Sequence, residues 1–482
     1  MRKAEKYEFS TSRRGFLYQA GCGLGAVALM DLLGHEFARG QELKSAQASD
    51  LNGGLHHRAK AKRVIQLFMN GGVSQMDTFD YKPELEKRHD EKVDFGIKAA
   101  ATSVPGALMK SPFAWKQHGQ CGRWVTDVFP EMAQQVDSLA FLMAMKSKTN
   151  VHGPASYMQN TGFVSPGFPC MGSWISYALG RLSDNLPSFV VLPDHRGLPY
   201  NNTGNFSPGF LPAAHAATLI KPNAPIPIAN LHPPQQATQI TTGSEADGLS
   251  LLDSLNARHL LDHPGDSRLT ARIESFELAA KMQLSAPEAL NISGETAEMQ
   301  SAYGLDDENT APFGRNCLVG RRLLQRDVRF VQVWSGTGGA SNNWDNHSDI
   351  PQELPFIARM VDKPIAGLLV DLQQQGMLED TLVVWTTEFG RMPFTQGATG
   401  RDHNGGTFVT WLAGAGIKPG VAHGQSDEFS YQTAENETWC YDLHATILHL
   451  LGIDHQRLTV LHNGIERRLT DVHGHVIQDI LA

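Results

Sequence analysis

A chain of 482 residues that is 41% hydrophobic and 19% charged has ordinary globular composition, with enough apolar mass for one large core or two smaller ones. Its net charge of -9 and pI of about 6.1, with no long basic run, argue against a nucleic-acid surface, so no nucleic acid is expected as a partner. The 46 Gly and 25 Pro point to long ordered loops on a scaffold rather than to an all-helical protein.

The N-terminus reads as a targeting segment. Ser12-Arg13-Arg14-Gly15-Phe16-Leu17 looks like a twin-arginine export signal, followed by the short Gly- and Ala-rich apolar stretch Gly21–Leu33 and a small-residue cleavage site at Ala46-Gln47-Ala48. Residues 1–48 are therefore set aside as signal and linker, and the mature chain is expected in the periplasm or outside the cell. No later stretch reaches spanning length, so no integral membrane span is expected in it. Of five cysteines, Cys22 falls in the signal; Cys121, Cys170, Cys317 and Cys440 are far apart, without a CxxC, and are expected as free thiols.

In chain order, Val64–Met69 is the first core strand. It runs into Asn70-Gly71-Gly72-Val73-Ser74, where two glycines could expose backbone N–H groups as an anion cradle, or simply make a strand-to-helix turn. Asn70 and Ser74 are candidate substrate contacts there, with Ser74 a weak nucleophile that nothing nearby activates. Asp127–Asp137 predicts a helix and Leu139–Met145 a strand. His152 follows in a loop or at a helix start, then a helix over Met171–Leu182 and a strand over Phe189–Leu192. From Gly197 to Gln239 the chain is Asn-, Pro- and Gly-rich but keeps Phe206, Phe210 and Leu211, an ordered excursion suited to a lid. Helices follow at Leu251–Leu260, Leu269–Leu284 and Leu318–Arg326, where Arg315, Arg321 and Arg322 read as a solvated face. The loop-and-helix insertion is placed at 197–310 within a domain spanning 60–482. Val328–Trp334 is a strand, Ile365–Gly376 an amphipathic helix, and Thr381–Trp385 a buried strand. Thr407–Leu412 and the helix Asp442–Leu451 complete the pattern. Strands alternate with helices, which favours an α/β sandwich with a mostly parallel central sheet flanked by helices.

The polar residues collect after the strands, where ligands bind in such sheets. Thr387–Arg391 ends one strand, a Gly-rich loop is expected next, and Arg401-Asp402-His403-Asn404 follows. Another strand leads to Trp344-Asp345-Asn346-His347. Asp345, His347, Glu388, Asp402 and His403 are candidate ligands for a divalent metal, because carboxylates and imidazoles suit such ions. The same residues could instead form a network in which Arg391 or Arg401 pairs with Glu388 or Asp402. His152 is a candidate nucleophile, base or ligand.

Several stretches together resemble one family: LFMNGGVSQMDTFDYKPEL, ARIESFELAAKMQ, YGLDD, FGRNCLVGRRL, VRFVQVW, WDNH, TLVVWTTEFGRMP, GRDHN and DLHATILHLLGIDH. These resemble the exported proteins carrying "domain of unknown function 1501" (DUF1501), often labelled sulfatase-like, from about residue 8 to the end. The resemblance implies the alkaline-phosphatase and sulfatase superfamily, with an alkaline-phosphatase-like sandwich and a metal site at its strand ends. Compared with that superfamily, Asn70 stands where a metal-binding Asp ends the first strand. His152 stands in place of the Cys or Ser that becomes formylglycine, and Ser156 in place of the signature Arg. Glu388-Phe389 replaces a ligand pair, and His403 matches the last His.

The function this implies is an exported hydrolase of sulfate or phosphate esters with altered metal and nucleophile positions. Asp345, Glu388 and His403 would hold the ion, joined by His347 and Asp402 as candidates. His152 would act as nucleophile or base, and Arg391 or Arg401 would neutralise the anion. A divalent metal (Zn, Ca, Mg or Mn) is the expected cofactor, formylglycine is not, and the partner is a sulfated or phosphorylated ester, including polysaccharide. The rival readings are a non-catalytic binding protein of the same fold for anionic polysaccharide, and a scaffold in a secreted complex.

Overall fold

The computed structural model describes residues 55–96, 103–229, 231, 242–264, 267–339 and 341–482. The expected export segment, residues 1–48, lies outside them, as do parts of the 197–310 insertion. The elements that frame the site are β1 (Arg63–Met69), β2 (Leu139–Lys146), α1 (His152–Thr161), α2 (Met171–Leu179), β3 (Phe189–Leu192), β4 (Thr218–Leu219), α3 (Thr242–Asp262), α4 (Ser267–Leu290), α5 (Ala311–Gln325), β5 (Phe330–Ser335), α6 (Ile350–Arg359), α7 (Asp362–Gln374), β6 (Thr381–Thr386), β7 (Gly390–Gln396), β8 (Gly400–Asn404), β9 (Phe408–Ala413), β10 (Ala422–His423), β11 (Thr438–Trp439) and α8 (Cys440–Leu450). The chain divides into two compact units, one of residues 1–47 and 233–266, the other of 48–232 and 267–482. Among the first unit's described residues the only element is α3; everything that follows concerns the second.

Nine strands form the central sheet, in the order β10-β2-β9-β6-β1-β5-β3-β4, with β11 also paired to β2. All pairings are parallel except those of β9, which runs against both β2 and β6. The expected mostly parallel sandwich is therefore the fold. Alternate side chains divide the core between its two faces. Ile65, Leu67, Val331, Val333, Val383 and Trp385 pack with α5, α6 and α7, while Val64, Phe68, Phe330, Trp334, Leu382 and Val384 pack with α2 and α8. Burial on both faces explains why these strands read as continuous apolar runs. No described helix is long and apolar enough to cross a membrane.

Four local expectations need correction. The helix expected at Asp127–Asp137 is a 3-10 segment over Met132–Ser138 only. Pro130 cannot donate the bond a continuous helix needs, and the buried Asp362 carboxylate instead takes the N–H groups of Glu131 (2.9 Å) and Met132 (2.8 Å). The helix expected to reach Leu182 stops at Leu179, where Gly180 adopts φ +62°. The Gly-rich loop expected after β6 is instead the antiparallel hairpin β7–β8. That hairpin replaces a crossover helix, which is why β9 returns antiparallel beside β6. Finally, Arg321 and Arg322 are not a solvated face. Arg321 pairs with Asp371 and Glu295, both at 2.8 Å, and Arg322 with Glu295 at 2.5 Å. Among the described residues Cys121, Cys170, Cys317 and Cys440 are unpaired: Cys121 is exposed and the others are buried.

Candidate functional site

The carboxyl ends of β1, β2, β5 and β6 open on one side of the sheet, and the tip of β8 reaches the same place. The turn after β1 brings the backbone in close. Gly71 has φ +127°, and a Cβ there would lie 2.5 Å from the backbone N of Trp344, so only glycine fits. Its N–H donates to Glu388 Oε1 at 2.8 Å, and that of Val73 to Thr387 Oγ1 at 3.2 Å. The anion cradle envisaged here is thus filled by the chain's own carboxylate and hydroxyl.

The centre is Asp345, in the loop after β5. Around its Oδ1 lie Nη2 of Arg391 at 2.7 Å, Nε2 of His347 at 2.8 Å, Nε2 of His403 at 3.0 Å and Nε2 of His152 at 3.1 Å. His152 is the first residue of α1. His403 sits on β8 opposite Arg391 on β7. One donor atom from each of His152, Asp345, His347 and His403 lies within 4.8 Å of the others.

Each imidazole is oriented from behind through Nδ1. His403 donates to the carbonyl oxygen of Asn150 at 2.8 Å, and His347 to the side-chain oxygen of Gln396. His152 Nδ1 lies 2.7 Å from Glu388 Oε1. An oxygen at Nδ1 fixes the proton there and leaves the Nε2 lone pair facing Asp345. Two such lone pairs, on His347 and His403, stand only 2.7 Å apart. The buried Nε2 of His152 makes no hydrogen bond among the described residues despite its closeness to Asp345.

Electrostatics follow from this crowding. Burial would raise the Asp345 carboxyl, but the Arg391 guanidinium and the three imidazoles outweigh it and hold it well below the usual carboxylate range. Burial pushes His403 down to about 4, only partly opposed by Asp345. Burial acts the same way on His152, yet the nearby Asp345 and Glu388 carboxylates win and leave it raised. With the imidazoles neutral, the Asp345 and Glu388 carboxylates outnumber the Arg391 guanidinium, a balance that suits a cation.

The structure brings His152, Asp345, His347, Glu388 and His403 together, as expected. Glu388 stands behind His152 rather than beside the other donors: it is fully buried, with its second oxygen 3.2 Å from Thr387 Oγ1. Asp402 is turned away, because the hairpin's register shifts between Arg401 and His403. Its carboxylate takes Ser103 N at 2.8 Å and Ser103 Oγ at 2.9 Å. The two arginines do not face an anion. Arg391, fully buried, spends its donors on Gly71, Gly72, Trp344 and Arg401 carbonyls and on Asp345. Arg401, also fully buried, grips Asp77 through Nε (2.6 Å) and Nη2 (3.1 Å). Ser74 is buried and donates its hydroxyl to the same Asp77, at 2.5 Å. Asn70 lies beside the turn with its amide N on the Thr337 carbonyl at 2.9 Å; its buried Oδ1 has no partner among the described residues.

Sequence reading missed the residues that orient these groups. Tyr200 stacks on His152, with ring centroids 4.4 Å apart and planes 7° off parallel, and its hydroxyl donates to the Gly339 carbonyl at 2.9 Å. Phe389 packs 4.8 Å from both His152 and His403, an apolar wall where no ligand can stand. Asn150 and Gln396 carry no motif at all. The only signal for Tyr200 was its place in the Pro- and Gly-rich excursion.

A family model described as "Protein of unknown function (DUF1501)" matches residues 61–481. No curated protein matches the chain. Solved structures similar to it include the PsFucS1 sulfatase from Pseudoalteromonas sp., at 10% identity and TM-score 0.33, covering 89% of this chain and 71% of that one. The phosphonate monoester hydrolase of Agrobacterium radiobacter is 14% identical with TM-score 0.34, over 82% and 74% of the two chains. A TAB5 alkaline phosphatase mutant with Mg bound is 10% identical with TM-score 0.32, over 78% and 97%.

Proposed function

We propose that this chain, which belongs to the DUF1501 family, is an exported metal-dependent hydrolase of sulfate or phosphate esters. The observation that carries the reading is the convergence of three imidazole Nε2 atoms on one carboxylate oxygen, each imidazole being held from behind by an oxygen. Nitrogen and oxygen donors in that arrangement fit a zinc-class ion better than Ca or Mg, which prefer oxygen alone. When bound, such an ion supplies Lewis-acid polarisation of a sulfuryl or phosphoryl oxygen.

The partners at Nδ1 divide the work. His347 and His403 are backed by neutral amide oxygens, and with Asp345 they make a two-His, one-carboxylate holder. His152 is backed by the Glu388 carboxylate, which fixes its Nδ1 proton and stabilises the imidazolium formed when Nε2 takes a proton. With no Cys or Ser at that position, His152 is assigned as base or nucleophile. Stacking on Tyr200 holds its ring plane. Asn70 Oδ1 remains as an acceptor for an incoming hydroxyl or ion. Arg391 acts on the site by fixing Asp345 and the loops around it.

The test is metal analysis of purified protein combined with turnover of aryl sulfates and aryl phosphates. His347→Ala and His403→Ala are expected to lose the ion. His152→Ala and Glu388→Gln are expected to keep it and lose kcat, with His152→Ala falling about 100-fold or more. A wild-type protein without metal, or a His152→Ala variant as active as wild type, refutes the reading. Metal retained with no turnover on any ester favours the non-catalytic binding protein.

A further inference from the structure

We propose that a groove leading away from His403 binds an anionic oligosaccharide, with Lys148 and Trp439 selecting it. The proposal rests on the reading above in one respect: it takes the His403 cluster as the groove's reacting end. Two cavities meet at Lys148. The smaller, of about 220 Å³, is lined by Asn150, Asn404, Ser147 and Tyr431, and it adjoins the cluster because the Asn150 carbonyl holds His403. The larger, of about 500 Å³, is lined by Trp439, Tyr441 and His473. Together they follow the segment after β2 to the start of α8.

Three features describe the ligand. Lys148 stands at the junction with no carboxylate in ion-pair range among the described residues; its ammonium donates to the Tyr441 hydroxyl at 2.8 Å and lies 4.8 Å from that ring. The neighbouring Lys146, by contrast, is already paired with Glu437 at 2.8 Å. An unneutralised cation in a chain of net charge -9 marks a place for a ligand's sulfate or carboxylate. Ser147, which lines the smaller cavity, has a buried Oγ with no hydrogen-bond partner among the described residues. Trp439 and Tyr431, both half-buried at the cavities, present ring surface beside polar groups, the combination that receives a sugar ring. Asp442, the acid of the larger cavity, is already bonded to the N–H of Trp439 (2.8 Å) and of His475 (3.0 Å), so it does not oppose an anion unscreened.

The experiment is calorimetric titration of the full chain with a sulfated galactan hexasaccharide, the same hexasaccharide desulfated, and inorganic sulfate. The sulfated hexasaccharide is expected to bind and the desulfated one to bind at least about tenfold more weakly, as loss of one charge-assisted hydrogen bond predicts. Lys148→Gln is expected to reduce sulfated-hexasaccharide affinity by a similar factor, and Trp439→Ala to weaken both hexasaccharides. Neither change is expected to alter metal content or aryl-ester turnover, since neither residue touches the cluster. Equal binding of sulfated and desulfated forms, or unchanged affinity in Lys148→Gln, overturns the proposal. Binding is read without turnover, so an inactive cluster would refute the hydrolase while leaving the groove standing.

Discussion

Arg401 offers the sharpest test, because sequence and structure give it different work. In sequence it is a cation ready to neutralise a bound anion. In the fold it is sealed against Asp77, both side chains fully buried, in a two-point pair at 2.6 and 3.1 Å. Its remaining donors reach the Met392 carbonyl at 3.2 Å and that of Met109 at 2.9 Å. Arg401→Met removes the guanidinium and keeps most of the volume, stranding the Asp77 charge without water. Breaking a buried pair from one side costs about 3–5 kcal/mol. Adding Asp77→Asn removes the stranded charge, so the double variant is expected to recover at least about 1 kcal/mol of that loss. Urea unfolding of wild type, both single variants and the double gives the cycle, and aryl-ester kinetics on folded protein gives the other axis. A variant that unfolds like wild type but binds substrate anions more weakly would refute the assignment of Arg401 to the scaffold.

Other consequences follow from the same geometry. Gly71→Ala would force a Cβ against Trp344 N from a backbone at φ +127°; a loss of about 3 kcal/mol or more and a fall in metal occupancy are expected by melting and metal analysis. His444, buried in α8, donates Nε2 to the Gln159 carbonyl at 2.8 Å, and burial pushes it down to about 4. Its neutral form is favoured in the fold, so its contribution is present above pH 6.5 and is lost as pH falls toward 4, by about 3 kcal/mol in all. His444→Gln is expected to flatten that loss in urea titrations between pH 7 and 4, and an unchanged slope would assign the acid sensitivity elsewhere. Tyr200→Phe keeps the ring on His152 and should retain most activity. Tyr200→Ala removes the stack and should lower kcat about tenfold without releasing metal; equal activity of the two would remove Tyr200 from the site.

The sheet was legible in the sequence because its strands are buried on both faces. Val64–Met69, Phe189–Leu192 and Thr381–Trp385 announce themselves as apolar runs with β-branched residues, and the structure places strands at each. The site residues were legible as types after those strands. What the sequence could not convey was which atoms of these residues were already committed. Nothing in Arg401-Asp402-His403 says that the first faces Asp77, the second Ser103 and the third Asp345; the register shift within β8 decides that. The Gly-rich stretch before it read as a loop because its pairing partner, β7, is supplied only by the turn itself.

Arg391 explains how loops so far apart in sequence meet at one point. One guanidinium holds the carbonyls of Gly71 and Gly72 after β1, the Trp344 carbonyl and the Asp345 carboxylate after β5, and the Arg401 carbonyl on β8. It therefore ties three strand ends at the point where the imidazoles converge. Its charge also keeps Asp345 ionised in a buried place, where an acid alone would protonate. A protonated Asp345 would neither attract a cation nor accept from Arg391. Replacing Arg391 by Lys keeps the charge but offers three donors to the five acceptors the guanidinium holds, and a point charge cannot hold that planar set. Arg391→Lys should thus lose metal as His403→Ala does, though every proposed ligand remains in the chain. Retention of full metal occupancy in Arg391→Lys would show that the loops are placed by packing alone.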